Sequence, residues 1–129
     1  MAYSALATIL ALFVYIWVFI NVGRARTRTG IAAPAVTGNA EFERYYRVQM
    51  NMVEQMALFI PALWLFSLFV SPLYAFYLGV VWSIGRVLYA LGYYKEADKR
   101  HIGFGISAGC SLILLLGATW GVGVRLLVN

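Results

Sequence analysis

Near its start the chain carries the uncharged stretch Ala5-Leu-Ala-Thr-Ile-Leu-Ala-Leu-Phe-Val-Tyr-Ile-Trp-Val-Phe-Ile20. It belongs to the first of four apolar segments, which lie at about 3–22, 45–70, 73–94 and 102–128. Each is close to the roughly 20 residues that a helix needs to cross a hydrocarbon core of about 30 Å. Because unpaired backbone groups are too costly in lipid, such segments should be helical. The sequence therefore predicts an all-α integral membrane protein, with a four-helix transmembrane bundle that forms one domain, 1–129.

Composition supports a membrane protein. Of the residues, 63% are hydrophobic and 12% charged, and the mean hydropathy is +0.79. Globular domains average about 45–50% apolar and about 25% charged residues. The net charge is +5, but most basic residues lie toward the ends of apolar segments, so a nucleic-acid partner is not expected. The single cysteine, Cys110, lies in an apolar segment and is interpreted as a packing residue.

The connections predict the membrane orientation. Three arginines follow the first segment, where a signal peptide would have a small-residue cleavage site, so this segment should remain as the first span. The first connection, 23–40, and the third, 95–101, hold most of the basic residues, whereas the second, around 71–72, holds none. Basic loops stay in the cytoplasm. Loops one and three should therefore be cytoplasmic, with both termini on the opposite side.

Small residues in the last segment are spaced four apart, at Gly105 and Gly109 and again at Gly117 and Gly121. This spacing allows helices to approach closely. Glycine is also simply common in membrane helices, and the sequence leaves both interpretations open.

The second segment begins with a polar stripe. At about 100° per residue, Arg44, Arg47, Asn51 and Glu54 fall within an arc of roughly 80°. Charges at the bilayer centre cost about 2.5–3.5 kcal/mol on insertion scales, so the stripe should face the protein interior. An Arg47–Glu54 ion pair that only locks the bundle is one interpretation. The excess of arginine over carboxylate favours another, an anion-binding pocket.

The third segment offers a matching face. Arg86, Tyr89 and Tyr93 are spaced to share one side of a helix, where a guanidinium and two phenols can bind a carboxylate or thiolate. Tyrosines at the membrane interface are the alternative. Arg100 opens the last segment and could stabilise a thiolate, or it could reach toward lipid headgroups. His101 has no partners at metal-ligand spacing, so no metal site is expected and it is interpreted as a surface residue.

Two blocks carry a resemblance to a known family. They are Glu41-Phe-Glu-Arg-Tyr-Tyr-Arg-Val-Gln-Met-Asn-Met-Val-Glu54 and Gly85-Arg-Val-Leu-Tyr-Ala-Leu-Gly-Tyr93, the latter leading to Lys99-Arg100. Together with four spans they resemble the MAPEG family, membrane-associated proteins in eicosanoid and glutathione metabolism. The resemblance implies a homotrimer that binds glutathione as co-substrate between neighbouring subunits near the cytoplasmic side. It assigns Arg100 to stabilising the glutathione thiolate. The implied glutathione contacts are Arg26, Arg47, Gln49, Asn51, Glu54, Tyr89 and Tyr93.

Details of the motifs separate the branches of that family. Thr27 and Gln55 stand where leukotriene C4 synthase has arginine and tyrosine, and Tyr89 stands where prostaglandin E synthases have histidine. The stretch Tyr93-Tyr-Lys-Glu-Ala-Asp-Lys-Arg-His-Ile-Gly-Phe104 looks closer to microsomal glutathione transferases of the second and third types.

The resemblance implies an enzyme that conjugates glutathione to hydrophobic electrophiles, with a possible peroxidase activity on lipid hydroperoxides. A non-catalytic lipid-binding protein resembling the five-lipoxygenase-activating protein is the alternative. A small transporter is a poorer match, because Pro61 is the only midplane helix breaker in the apolar segments and more simply kinks the second one.

Overall fold

The computed structural model describes residues 1–129 and is entirely helical between its connections. A short 3₁₀ turn, Ala97–Arg100, leads into the last of four long helices. These helices are α1 Ala2–Thr29, α2 Ala40–Phe69, α3 Pro72–Lys95 and α4 His101–Val128. All four are long and apolar enough to cross a membrane, which confirms the predicted fold class.

The first connection is shorter than the sequence indicated. The helix α1 continues to Thr29, so the loop begins at Gly30 and not at Gly23. A single glycine at position 23 does not end a helix, whereas Gly30 adopts the left-handed backbone conformation, with φ of 76°, and its N–H donates to the carbonyl of Arg26. The arginines at this end therefore have fixed positions around α1, where they favourably face the negative end of the helix dipole.

Polar caps fix the starts of the next two helices. The Asn39 side chain accepts a hydrogen bond from the Phe42 N–H at 2.9 Å, and the Ser71 hydroxyl accepts one from the Tyr74 N–H at 3.3 Å. Pro72 occupies the first turn of α3, where its missing N–H is not needed. With only two residues between them, α2 and α3 form the expected antiparallel hairpin.

The apolar core occupies the part of the bundle away from the first and third connections. At its centre the rings of Phe59 and Trp82 stack, with centroids 3.9 Å apart and planes 6° from parallel. Near the chain's first turn the hydroxyls of Ser4 and Ser67 are hydrogen-bonded to each other, which joins α1 to α2. The polar residues of the opposite end are thus held on a rigid apolar base.

Glycines allow α3 and α4 to approach closely. A Cβ on Gly103 would overlap the backbone nitrogen of Tyr89, and one on Gly85 would lie 2.8 Å from Cγ2 of Ile106. This approach brings the start of α4 against the polar face of α3.

The expected glycine spacing on α4 is used only in part. Gly117 and Gly121 pack closely against the end of α2, whereas added Cβ atoms at Gly105 and Gly109 would meet no atom within 4 Å. Those two glycines are therefore not needed for close packing within the chain.

Candidate functional site

Five of the predicted site residues meet in one pocket of about 460 Å³ at the arginine-rich end of the bundle. The five residues are Arg47 and Asn51 from α2, Tyr89 and Tyr93 from α3, and Arg100 from the turn before α4. We call this cavity the arginine pocket. Its volume lies in the range of small-molecule sites, about 300–1,000 Å³.

The pocket is positively charged. Arg47 has no hydrogen-bond or ion-pair partner, and no carboxylate lines the cavity. Arg100 donates from Nη1 to the carbonyl of Ala97 at 2.6 Å, and its guanidinium carbon lies 5.8 Å from the ring centroid of Tyr93. The ion pairs of the molecule are Arg28–Glu41 and a longer Lys99–Glu96 contact. The Arg47–Glu54 ion pair considered from the sequence is therefore not formed.

Arg86 lies behind the pocket wall and does not line it. Only 1% of this residue is exposed, and its Nη2 donates to Oδ1 of Asn51 at 2.7 Å. Its Nη1 donates to the hydroxyl of Ser107 at 3.3 Å, and its guanidinium carbon lies 4.2 Å from the ring centroid of Tyr89. Because Oδ1 of Asn51 accepts from Arg86, the acceptor of that side chain is occupied and its amide nitrogen can donate to a ligand. Arg86 thus fixes the orientation of two pocket residues.

The predicted polar stripe does not face the bundle interior throughout. Arg47 and Glu54 are exposed, whereas Val48 and Met52 are buried. The buried face of α2 is centred roughly 110° around the helix from the stripe, so the stripe lies beside the core face. The prediction of an inward-facing Glu54 is wrong for the single chain.

Three predicted contacts lie outside the pocket. Arg26 donates from Nη1 to the carbonyls of Ile31 at 3.3 Å and Ala35 at 2.7 Å. Gln49 is two residues from Arg47, about 200° around α2, and Glu54 is exposed one turn beyond Asn51. One chain therefore brings together five of the eight residues.

Two further residues complete the lining, and the sequence interpretation assigned neither to the site. His101 is exposed, as expected of a surface residue, yet it borders the cavity. Phe104 follows Arg100 by four positions, and its ring centroid lies 6.3 Å from that of Tyr89. The i, i+4 spacing to Arg100 was the available signal for Phe104. An apolar ring thus lies beside the pocket's cations.

Comparison with known proteins relates the whole bundle to one family. The model of the MAPEG family matches residues 4–120. An uncharacterized protein of Synechocystis sp. is 51% identical over 90% of this chain and 85% of its own length. Human microsomal glutathione S-transferase 2 is 44% identical over 77% of this chain and 68% of its own length. Leukotriene C4 synthase of Cavia porcellus is 33% identical over 94% of this chain and 81% of its own length.

Proposed function

The chain belongs to the MAPEG family, and we propose that it is a glutathione-dependent membrane enzyme. Its proposed reaction is the conjugation of glutathione to hydrophobic electrophiles that enter from the bilayer. The observation that carries this proposal is the arginine pocket, in which two guanidinium groups without carboxylate partners face one cavity. Such a cavity is complementary to a small polyanion.

Glutathione has the charges that this pocket would bind. It carries two carboxylates, one ammonium group and a thiol. Arg47 is free to bind a carboxylate through two parallel N–H donors, and the amide of Asn51 and the hydroxyl of Tyr93 can donate to the same ligand. Phe104 offers an apolar wall on which a hydrophobic co-substrate could pack.

Arg100 is the proposed catalytic residue. A cation beside a thiol favours the thiolate, which is the nucleophilic form. In the conjugation step the sulfur forms a bond to an electrophilic carbon, the leaving group departs with its electron pair, and the thiol proton goes to solvent. The same thiolate could attack a lipid hydroperoxide, with release of the alcohol and transfer of the oxygen to sulfur. A second glutathione would then give the disulfide and water.

We further propose that the site is completed in a homotrimer. Arg26, Gln49 and Glu54 lie outside the arginine pocket of their own chain, and Glu54 is a carboxylate exposed along an apolar helix. Exposure of a charge to lipid is costly, so a second copy of the chain would cover this face. Glu54 would then be available for the ammonium group of glutathione. The proposed orientation places the arginine pocket toward the cytoplasm.

Two measurements on the detergent-solubilised protein test the function. Adding glutathione should produce the ultraviolet absorbance of a thiolate, and a hydrophobic aryl halide should be conjugated. Arg100→Ala should lose the thiolate signal, whereas Arg125→Ala, at the opposite end of the bundle, should keep both signals. Failure of the wild-type protein to bind glutathione would overturn the proposal. Binding of a lipid mediator without glutathione would instead favour the non-catalytic alternative.

A further inference from the structure

A second groove runs along the outside of the bundle between α1 and α3, and it shares no residue with the arginine pocket. Two adjoining cavities form it, an apolar one of about 310 Å³ and a polar one of about 230 Å³. On α1 the lining residues follow one another in steps of three or four, which places them on a single face. In order they are Leu10, Val14, Trp17, Asn21, Arg24 and Arg28.

The same regularity holds on α3. Its lining side chains run from Val80 through Val87 and Leu91 to Tyr94, again without a gap between the two cavities. The helices α1 and α3 run in the same direction. The apolar lining residues of both helices therefore lie at one end of the groove, and the polar lining residues of both lie at the other. The two cavities are therefore one continuous amphipathic groove, which we call the α1–α3 groove.

We propose that the α1–α3 groove binds an anionic phospholipid, with the phosphate at Arg24 and one acyl chain along the apolar part.

Charge at the polar end supports this occupant. Arg24 is exposed and has neither a hydrogen bond nor an ion pair. Arg28 lines the same cavity, but its Nε donates to Oε1 of Glu41 at 2.8 Å, and its guanidinium carbon lies 5.2 Å from the ring centroid of Tyr45. One cation is thus left uncompensated, which matches one phosphate monoanion.

Aromatic side chains form a rigid floor next to Arg24. The rings of Tyr45 and Tyr94 stack with centroids 3.9 Å apart and planes 10° from parallel. Trp17 packs edge-on against Tyr94, with centroids 6.2 Å apart, and Asn21 donates from Nδ2 to the Tyr94 hydroxyl at 3.3 Å. Tryptophan and tyrosine are typical of the headgroup level of a bilayer. The polar end of the groove therefore lies where a lipid glycerol and phosphate would be.

The length of the groove fits one leaflet. Leu10 and Arg24 are 14 residues apart on one helix, which corresponds to roughly 21 Å. Half of a hydrocarbon core of about 30 Å, plus one headgroup region of about 5–7 Å, gives nearly the same depth. An acyl chain that starts near Trp17 would therefore follow the apolar cavity down to Leu10.

The groove also points away from the proposed site for glutathione. Arg24 and Arg26 are two residues apart and so lie about 200° apart around α1. If Arg26 faces a neighbouring copy, as the proposed trimer requires, Arg24 faces lipid. Lipid binding in the α1–α3 groove is independent of catalysis, because it uses a different face of the bundle and needs no glutathione.

Native mass spectrometry of the full-length protein tests this proposal. The solubilised protein is equilibrated with equal amounts of phosphatidylglycerol and phosphatidylcholine that carry the same acyl chains, and the retained lipids are counted. A basic residue near an anionic headgroup should give an about fivefold preference for phosphatidylglycerol. Arg24→Gln should remove the preference without lowering total retention, Arg24→Lys should restore it, and Arg125→Gln should leave it unchanged.

A second pair of variants tests the acyl-chain part. Val87→Trp would fill the apolar cavity and should reduce retention of both lipids, whereas Leu112→Trp, on the exposed face of α4, should not. Equal retention of the two lipids by the wild-type protein would overturn the proposal and leave only ordinary surrounding lipid. An unchanged preference in Arg24→Gln would overturn it as well, and since Arg24 is exposed, that variant should fold.

Discussion

Replacing Arg86 separates the stability of the bundle from the shape of its pocket. The guanidinium is 1% exposed and is held by Asn51 at 2.7 Å and, more weakly, by Ser107 at 3.3 Å, while its Nε has no partner. Arg86→Met keeps an apolar stem of similar length and removes the charge. The change therefore deletes one good hydrogen bond and also the cost of burying an ion.

The two effects of Arg86→Met nearly cancel. A hydrogen bond to a charged group contributes about 1.5–3 kcal/mol, and an arginine at mid-span costs about 2.5–3.5 kcal/mol on insertion scales. We expect the free energy of unfolding of Arg86→Met to stay within about 1 kcal/mol of the wild-type value. Asn51→Leu has no such compensation, because it leaves the buried cation with only the long bond to Ser107. That variant should lose about 1.5–3 kcal/mol.

Glutathione binding should respond differently from stability. Without Arg86, the side chain of Asn51 is free to rotate and the ring of Tyr89 loses its cationic neighbour. Glutathione must then order these two side chains when it binds, which lowers its affinity. A loss of about 1.4 kcal/mol of binding free energy raises the dissociation constant tenfold. We expect an effect of that order on glutathione binding for Arg86→Met. Denaturation in mixed detergent would measure stability, and titration calorimetry would measure binding.

The double variant Arg86→Met/Asn51→Leu provides the decisive comparison. Removing both partners of a buried polar pair is close to neutral, so this protein should be more stable than Asn51→Leu alone. Arg125→Met serves as a control for loss of a positive charge. If Arg86→Met were less stable than Asn51→Leu, or bound glutathione as tightly as the wild type, the assigned role of Arg86 would be refuted.

Three further predictions use matched controls. Gly103→Ala should destabilise the bundle by about 1–3 kcal/mol through overlap with the α3 backbone, whereas Gly105→Ala meets no atom and should be neutral or stabilising by up to about 1 kcal/mol in the same unfolding assay. Asn39→Ala should cost about 1 kcal/mol by removing the cap of α2, and a serine at that position should recover most of it. Arg47→Ala should weaken glutathione binding by about 10- to 100-fold in calorimetry. Arg44 donates from Nε to a carbonyl of α3 outside the arginine pocket, so Arg44→Ala should change glutathione binding less than about twofold. Equal effects in the paired variants would contradict the corresponding assignment.

The sequence predicted the helical class and much of the pocket for physical reasons that are local. Segment length and hydropathy determine that the helices can span a membrane. Spacing in the sequence determines that Arg47 and Asn51 share one face of α2, and that Tyr89 and Tyr93 share one face of α3. What spacing does not determine is how each helix is rotated against its neighbours. That rotation depends on side-chain packing across the bundle, which on α2 buries Val48 and Met52. Spacing on α2 therefore did not reveal that Glu54 points away from the core within the single chain.

Pairing distinguishes the arginines of this chain, and pairing is visible only in three dimensions. Arg28 is neutralised by Glu41, and Arg86 is enclosed by neutral partners in the core. Arg26 donates to carbonyls of the first loop, and Arg44 donates to a carbonyl at the end of α3. Arg47 and Arg24 have no partner, and each lines a separate cavity on a separate face of the bundle.

The net charge of the chain is +5, and these two unpaired arginines each line a cavity. One of these cavities is a pocket of the size and polarity for a small polyanion, and the other is a groove of the length and polarity for a lipid. Because the two cavities use different faces of α3, a lipid in the α1–α3 groove would press on the side of that helix opposite Tyr89. Occupancy of the groove can then affect the arginine pocket through the positions of α3 and α2, which line both cavities. Comparing glutathione affinity in Val87→Trp and Leu112→Trp would detect such an effect.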